Sequence, residues 1–328
     1  MNMMIAQSFS ARRRCLGWLS TVLLLLLLTP LPGWSAAPSA TPKGQAFASP
    51  EAAVTALVEA ARKAEPQAIL AILGEDAKDL VFSGDSVDGK QEAANFVVGY
   101  EEFHALQKDA SGKRVVLVLG EEKWPFPIPV IEVGGKWYFD VASGREELLF
   151  RRIGRNELTA IQVMQAYVNA QLEYAAKDRD GDGVLEYAQK IKSDPGKQNG
   201  LYWPIAEGED PSPFGPLVAQ AETEGYDKDK GKMQPYHGYY FRIVTRQGKN
   251  APGGAYDYVV NGNMVLGFGM IAWPAKYGVS GIMTFAVNQA GVIYQCDLGP
   301  ETDKIIREIV KYNPDEHVWV KVSEQDLQ

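Results

Sequence analysis

The chain is poor in cysteine and histidine, the side chains on which disulfide frameworks, zinc sites and many catalytic centres depend. It has two cysteines and three histidines among 328 residues. Cys15 lies in an apolar N-terminal segment, so Cys296 has no partner for an internal disulfide once that segment is removed. We expect Cys296 to be a buried apolar side chain. No two histidines lie at a ligand spacing, which argues against a zinc site.

Motifs of the common enzyme families are missing as well. The sequence has no Gly-x-Ser-x-Gly, no His-Glu-x-x-His, no phosphate-binding loop and no dinucleotide fingerprint. His104 and His237 each stand alone, and a lone histidine is more often a hydrogen-bonded structural residue than a catalyst. We therefore assign no catalytic and no cofactor-binding residue, and we favour a non-enzymatic function.

Basic residues are fewer than acidic residues, 33 against 41, and three of the basic residues are consecutive near the N-terminus. Residues 12–14 are arginines, an apolar run follows over 15–28, and small residues stand between positions 33 and 37. This order is that of a cleavable secretory signal peptide. The alternative is an uncleaved anchor, but the run is shorter than the roughly 20 residues that a spanning helix needs. We expect residues 1–36 to be removed and the mature protein to be periplasmic or secreted.

The mature chain is acidic. Removing 1–36 takes away three arginines and no acid, which leaves 30 basic against 41 acidic groups and a net charge of −11. Such a chain lacks the electrostatic footprint for nucleic acid or anionic lipid. It also has no further apolar run long enough to span a membrane. We therefore expect a protein partner in the cell envelope.

The pattern of the first half predicts helices followed by a sheet. Residues 37–48 are expected to be a flexible lead-in. In residues 49–150, helices are predicted from Pro50, from Pro66 and over about 90–108, and strands follow from residue 114 to residue 141. This order indicates an α+β domain.

In the second half, residues 156–328, a helix again precedes the strands, and here the prediction is one long helix. Asn156 is the predicted N-cap, and the apolar stripe continues to residue 176. A loop-rich stretch over 178–236 leads to an antiparallel meander and a closing helix. The fold class is therefore α+β with two units, each with helices packed on an antiparallel sheet. We expect the two units to be separable near residues 142–156.

Several specific strings resemble a secreted bacterial family known as a domain of unknown function (number 2950). They cover both halves, and they include WPFPIP at 124–129, RRIGRNE at 151–157, the Asp-rich loop with EYA at 186–188, YHGYYFR at 236–242 and YGVSG at 277–281. The resemblance implies an exported protein and no particular activity.

Two looser resemblances concern architecture. Residues 156–297 are similar to the globular headgroups of type IV pilins and pseudopilins, on the strings NAQLEYA at 169–175, HGYYF at 237–241 and AWP at 272–274. This resemblance implies a long helix packed on an antiparallel meander and an assembly function. Residues 49–141 are similar in layout to cone-shaped domains of the nuclear-transport-factor-2-like kind.

The loop after the long helix has the spacing of a calcium site. Calcium takes six to eight oxygen ligands, and alternating acids in a tight turn present several carboxylates to one point. Gly183 stands where such a loop makes its sharp turn, and Gln189 occupies the twelfth position, where a bidentate glutamate is usual. The alternative is a solvated acidic turn after the helix that binds no ion. The candidate ligands are Asp178, Asp180, Asp182, the carbonyl group of Val184, Glu186 and Gln189.

One alternative to a binding or assembly module remains open. Cone-shaped α+β domains often enclose a pocket, so the first unit is a candidate small-ligand-binding domain or hydrolase. The side chains that we expect to line such a pocket are Tyr100, His104, Trp124 and Trp137. An apolar cavity in residues 49–150 would favour this alternative over a scaffold.

Overall fold

The computed structural model describes residues 42–205, 211–226 and 234–323, which form an α+β protein. The expected signal peptide at 1–36 lies outside these ranges, as does the start of the lead-in. Within the described part of the chain, none of the helices combines the length and the apolar character that crossing a bilayer requires.

The first half packs helices on an antiparallel sheet. Its helices are α1 (Pro50–Arg62), α2 (Pro66–Leu73), α3 (Lys78–Val81) and α4 (Ser86–Glu102). Its strands are β1 (His104–Lys108), β2 (Arg114–Leu119), β3 (Trp124–Pro125), β4 (Val130–Val133) and β5 (Lys136–Phe139). They pair in the order β1-β2-β4-β5, and β3 pairs with β2.

The start of α1 is as predicted, but the chain is ordered before it. Ser49 caps α1 by accepting a hydrogen bond from the Ala52 amide at 3.1 Å, with Pro50 in the first turn. The lead-in prediction is wrong at its end. Phe47 is buried, and its backbone exchanges two hydrogen bonds with Trp137. Burial of this aromatic side chain offsets the entropy of ordering the segment.

The predicted helix over 90–108 is wrong at both ends. It begins at Ser86, where Asp85 caps it by accepting hydrogen bonds from the Val87 and Asp88 amides, and it ends at Glu102. Residues 104–108 form β1 instead, because β2 offers a full antiparallel ladder from His104 opposite Leu119 onwards.

A single helix, α5 (Val141–Tyr174), joins the two halves. The prediction that a helix begins at Asn156 is wrong: this residue is fully buried in mid-helix and donates its side-chain amide to the Ser280 carbonyl at 3.0 Å. Residues 142–155 are rich in good helix formers, so nothing local stops the helix there. The division into two separable units stays a prediction, and a cut at residue 150 would divide α5.

In the second half, α5 packs on a second antiparallel sheet. Its elements are α6 (Gly215–Thr223), β6 (Tyr239–Val244), β7 (Arg246–Gln247), β8 (Tyr256–Asp257), β9 (Val259–Val260), β10 (Asn263–Met264), β11 (Gly269–Pro274), β12 (Met283–Asn288), β13 (Tyr294–Asp297), α7 (Thr302–Glu308) and β14 (Val320–Lys321). The main sheet has the order β14-β13-β12-β11-β6. The predicted closing helix is confirmed, and Cys296 is buried on β13. The predicted meander is confirmed for β11, β12 and β13, but the strand predicted over 256–261 is wrong: β8 pairs with β7 and β9 pairs with β10 outside the main sheet, and β6 pairs directly with β11.

Buried aromatic side chains hold α5 on this sheet. Tyr167 packs edge-on against Phe268 at 5.5 Å and donates its hydroxyl to the Gly269 carbonyl at 3.1 Å. Tyr239 donates its hydroxyl to the Met283 carbonyl at 2.9 Å. Each phenol is thus both an apolar core residue and a satisfied donor.

Two glycines of α5 provide a matched test of its packing. A Cβ at Gly144 would lie 2.2 Å from the Pro127 carbonyl oxygen, whereas one at Gly154 would meet nothing within 4 Å. We expect G144A to lower the free energy of unfolding by about 2 kcal/mol, because backbone must move to accept the methyl group. G154A should raise it by about 0.5–1 kcal/mol through helix propensity. Urea unfolding of both variants checks this, and equal effects would contradict the packing described.

Candidate functional site

A cleft of about 1230 Å³ opens in the first half. Helices α1, α2, α4 and α5 and the strand ends around β3 contribute its walls. Most of its lining is apolar, and the larger side chains include Leu57, Ile69, Leu80, Phe96, Phe126 and Leu148. A cavity of this size and character is typical of a site for a small organic molecule.

Three aromatic rings meet along one wall of the cleft. Phe96 and Phe126 have ring centroids 5.2 Å apart, and Trp124 meets Phe126 edge-on at 6.1 Å. The indole N–H of Trp124 is buried and has no acceptor among the described residues. Sequence reasoning found Trp124 but missed the two phenylalanines, although both stand in the apolar patterns that predicted α4 and the WPFPIP segment.

The other expected lining residues lie elsewhere, so that part of the prediction is wrong. Trp137 on β5 pairs with Phe47 in the lead-in. Tyr100 stacks on His104 with ring centroids 3.8 Å apart, and His104 donates its Nδ1–H to the Tyr100 carbonyl at 2.9 Å. The shift of residues 104–108 from helix to strand is what places His104 on β1 and away from the cleft.

A buried arginine joins two walls of the cleft. Arg152 of α5 is 5% exposed and binds both carboxylate oxygens of Glu92 on α4, at 3.0 and 2.6 Å. It also donates to the carbonyl groups of Asp79 and Leu80, at 3.0 and 2.6 Å. Arg155, one turn further along α5, donates to the same Glu92 at 2.6 Å. The two-point contact between the planar guanidinium of Arg152 and the Glu92 carboxylate fixes the distance between α4 and α5.

Asp85 connects the cleft wall to the second half. One oxygen of its carboxylate caps α4, and the other accepts hydrogen bonds from the Tyr226 hydroxyl at 2.9 Å and the Gly238 amide at 3.0 Å. Gly238 has φ of +73°, and a Cβ there would lie 2.6 Å from the Asn156 side chain. Only glycine fits this approach without strain.

His237 lies between two carboxylates of different segments. Its Nε2 is 2.8 Å from Glu224 and its Nδ1 is 3.9 Å from Asp88, the latter an ion-pair distance. Burial alone would lower the pKa of His237, but the two carboxylates outweigh it and hold the pKa above its ordinary value. Burial would likewise raise the pKa of Asp88, but His237, Arg155 and Arg152 hold it below its ordinary value.

The loop after α5 brings the three aspartates together. One carboxylate oxygen from each of Asp178, Asp180 and Asp182 lies within 4.8 Å of the others. Asp178 accepts hydrogen bonds from the amides of Gly181 and Gly183, at 2.8 and 2.9 Å, so the two glycines shape the turn. Both have positive φ.

The three remaining candidate ligands make other contacts. Glu186 accepts from the Met264 amide at 3.1 Å, and Gln189 donates to the Gly262 carbonyl at 2.6 Å. Val184 donates its amide to Asp182 at 2.8 Å. Burial first, and then the three aspartates, raise the pKa of Glu186. These contacts tie the loop to the β9–β10 hairpin, with Asn263 donating to Asp182 at 2.7 Å.

The fold and the cleft define an α+β protein with a largely apolar cleft beside a salt-bridged contact between its halves. A family model described as "Protein of unknown function (DUF2950)" matches residues 44–322, and the chain belongs to that family. The family resemblance read from the sequence is therefore confirmed. Comparisons with curated proteins and with solved structures each return no match. The pilin-like and cone-like resemblances stay predictions.

The contact between His237, Asp88 and Glu224 predicts a pH-dependent stability. H237N retains a side chain that tolerates the left-handed φ of +45° but removes the cation. Because the folded-state pKa is raised, the histidine's contribution is full below the unfolded pKa and is lost as pH rises through the folded pKa. We expect the wild type to exceed H237N by on the order of 1 kcal/mol near pH 5.5 and by little near pH 9.

Urea unfolding at a series of pH values measures this difference. H104N is the control, because His104 has no carboxylate partner among the described residues. A stability difference between wild type and H237N that stays constant with pH would contradict a charged His237 in the folded state.

Proposed function

We propose that this chain is an exported, non-enzymatic binding protein whose N-terminal cleft takes up a small, largely apolar ligand. The single observation that carries the proposal is the cleft of about 1230 Å³ with its apolar and aromatic lining. Such a volume is somewhat larger than the roughly 300–1,000 Å³ of sites that hold drug-sized molecules, so a ligand of that size would fit within it. Between a scaffold and a ligand-binding domain, the cleft favours the second.

Export is the part of the proposal that the N-terminal sequence supports. The arginines at 12–14, the apolar run and the small residues around 35–37 follow the order of a signal peptide. A periplasmic or secreted location would bring the cleft into contact with small molecules outside the cytoplasm. A protein partner in the cell envelope remains part of this proposal.

Binding is favoured over hydrolysis because the best-placed histidine is already engaged. His237 has a carboxylate at each ring nitrogen, Glu224 at 2.8 Å and Asp88 at 3.9 Å. The two carboxylates favour the protonated imidazole, and a protonated imidazole cannot accept a substrate proton. Its place is the contact between the halves.

We also propose that the loop of Asp178, Asp180 and Asp182 binds Ca²⁺ and stabilises the chain after α5. Support comes from the three carboxylates within 4.8 Å of one another. Their mutual repulsion is a cost that a divalent cation would relieve. Hard oxygen donors in a glycine-shaped turn suit calcium, and Glu186, the Val184 carbonyl and Gln189 would complete the set after a small rearrangement.

Filling the cleft should abolish ligand uptake. Ala93 of α4 lines the cleft, whereas its neighbour Ala94 is exposed and outside it. We expect A93F to weaken binding of the neutral fluorescent probe N-phenyl-1-naphthylamine at least about tenfold, because the phenyl ring occupies apolar volume that the probe needs. Fluorescence titration measures the dissociation constant.

A94F is the matched control, since it places the same phenyl ring on the same helix but on the side that faces solvent. It should leave the dissociation constant of the probe unchanged. Failure of the wild type to take up the probe, or equal losses in the two variants, would count against the cleft as a binding site.

Calcium should raise the melting temperature of the protein. A cation that binds only the folded state stabilises it by mass action, about 2.7 kcal/mol at 100 times the dissociation constant. The uncharged Gln189 leads us to expect weak affinity, about 10⁻⁴–10⁻³ M, as in extracellular modules. Thermal melts with millimolar Ca²⁺ and with chelator measure the shift.

D180N should reduce that shift, and it is the informative variant. Asp180 accepts a long hydrogen bond from the Asp182 amide at 3.4 Å, whereas Asp178 accepts two short ones from Gly181 and Gly183, so loss of the Asp180 charge should perturb the turn less than loss of the Asp178 charge. D109N is the control, since Asp109 shapes an exposed turn in the first half. If Ca²⁺ leaves the melting temperature of the wild type unchanged, the loop is a solvated acidic turn.

A further inference from the structure

Three arginines of α5 line the cleft, Arg151, Arg152 and Arg155. Arg152 is fully engaged, because its three nitrogens bind Glu92 and the carbonyl groups of α3. It has no capacity to bind a ligand without breaking a buried network, which would be costly. Arg155 is half exposed, but one of its amino groups lies 2.6 Å from Glu92 and 3.6 Å from Asp88, and these two carboxylates would repel an anion there.

Arg151 is held differently. Its Nε donates to Glu147 at 2.6 Å, and its guanidinium lies over the Trp124 ring at 5.1 Å from the centroid. Its two terminal amino groups have no acceptor among the described residues, and its side chain is 50% exposed. The salt bridge and the stacking orient the guanidinium, so little freedom is lost when its remaining edge binds.

The accessible donors without partners at this wall are the two terminal amino groups of Arg151. The indole N–H of Trp124 also lacks a partner among the described residues, but it is closed to solvent. Donors that lack partners are matched by a ligand that supplies acceptors. A carboxylate supplies two in the plane that a guanidinium fork binds.

We propose that the ligand of the cleft is an anionic amphiphile, with its apolar body against Phe96, Trp124 and Phe126 and its carboxylate on the free edge of Arg151. This inference rests on the proposed function, because it names the ligand class of the same cleft. The apolar body supplies burial, and the single charge fixes which end of the molecule stays at the mouth.

Carboxylates in the cleft lining define the competing outcome. Glu102, Glu121 and Glu122 also line the cleft, and all three are exposed. Exposed acids are solvated and screened, so their effect on a bound ligand is small. If they dominated, an amphiphilic cation would bind more tightly than an anion.

Competition against N-phenyl-1-naphthylamine tests the proposal on the purified chain. Decanoate, decanol and decylamine share one apolar chain and differ in head-group charge at pH 7.5. We expect decanoate to displace the probe at about fivefold lower concentration than decanol, as for a half-exposed ion pair. R151Q should reduce that ratio to near one, with each displacement referred to the variant's own dissociation constant for the probe.

R179Q is the matched control, since Arg179 stacks on Trp203 at 5.3 Å in the second half. It should keep the decanoate preference. Equal displacement by decanoate and decanol, or tightest binding of decylamine, would contradict the proposal that the ligand is anionic. The proposal that the apolar cleft binds a small molecule would not be affected. Absence of probe uptake and of displacement by all three would instead overturn the proposed function, and this inference with it.

Discussion

The rest of the structure depends on the buried ion pair between Arg152 and Glu92. A guanidinium in the interior is tolerated only when its donors are satisfied, and here Glu92 and two backbone carbonyl groups satisfy them. Because Arg152 is on α5 and Glu92 is on α4, the pair sets the distance between two walls of the cleft. Removal of the Glu92 carboxylate would leave the Arg152 charge buried without its carboxylate partner, at a cost of about 3–5 kcal/mol.

The same helix connects the cleft to the second half. α5 carries Arg152 and Arg155 towards α4 and Asn156 towards the Ser280 carbonyl within one and a half turns. Asp85 then serves both halves, as the cap of α4 and as the acceptor for Tyr226 and Gly238. A change in the contact between the halves therefore acts directly on a wall of the cleft, without a long chain of intermediates.

The two proposed binding sites obey opposite physical rules. The cleft offers apolar surface with a few unpaired donors, so its ligand would gain by leaving water. The aspartate loop offers exposed carboxylates with little apolar surface, so its cation would gain by replacing repulsion with coordination. They lie in different halves, and α5 ends at Tyr174, just before the loop. Binding at the loop would thus order the C-terminal end of the helix whose N-terminal part lines the cleft.

By itself the sequence determined the features that depend on neighbours along the chain. The cap at Ser49, the apolar face of α1, the hairpin turns and the clustered aspartates all involve residues within a few positions, where spacing controls geometry. Only the tertiary structure decided the features that join distant residues. Residues 104–108 became a strand because β2 was available as a partner, and Asn156 is a buried mid-helix residue whose side-chain amide binds the distant Ser280 carbonyl. Arg152 meets Glu92 across 60 positions, and such pairs follow from packing, which no local pattern encodes.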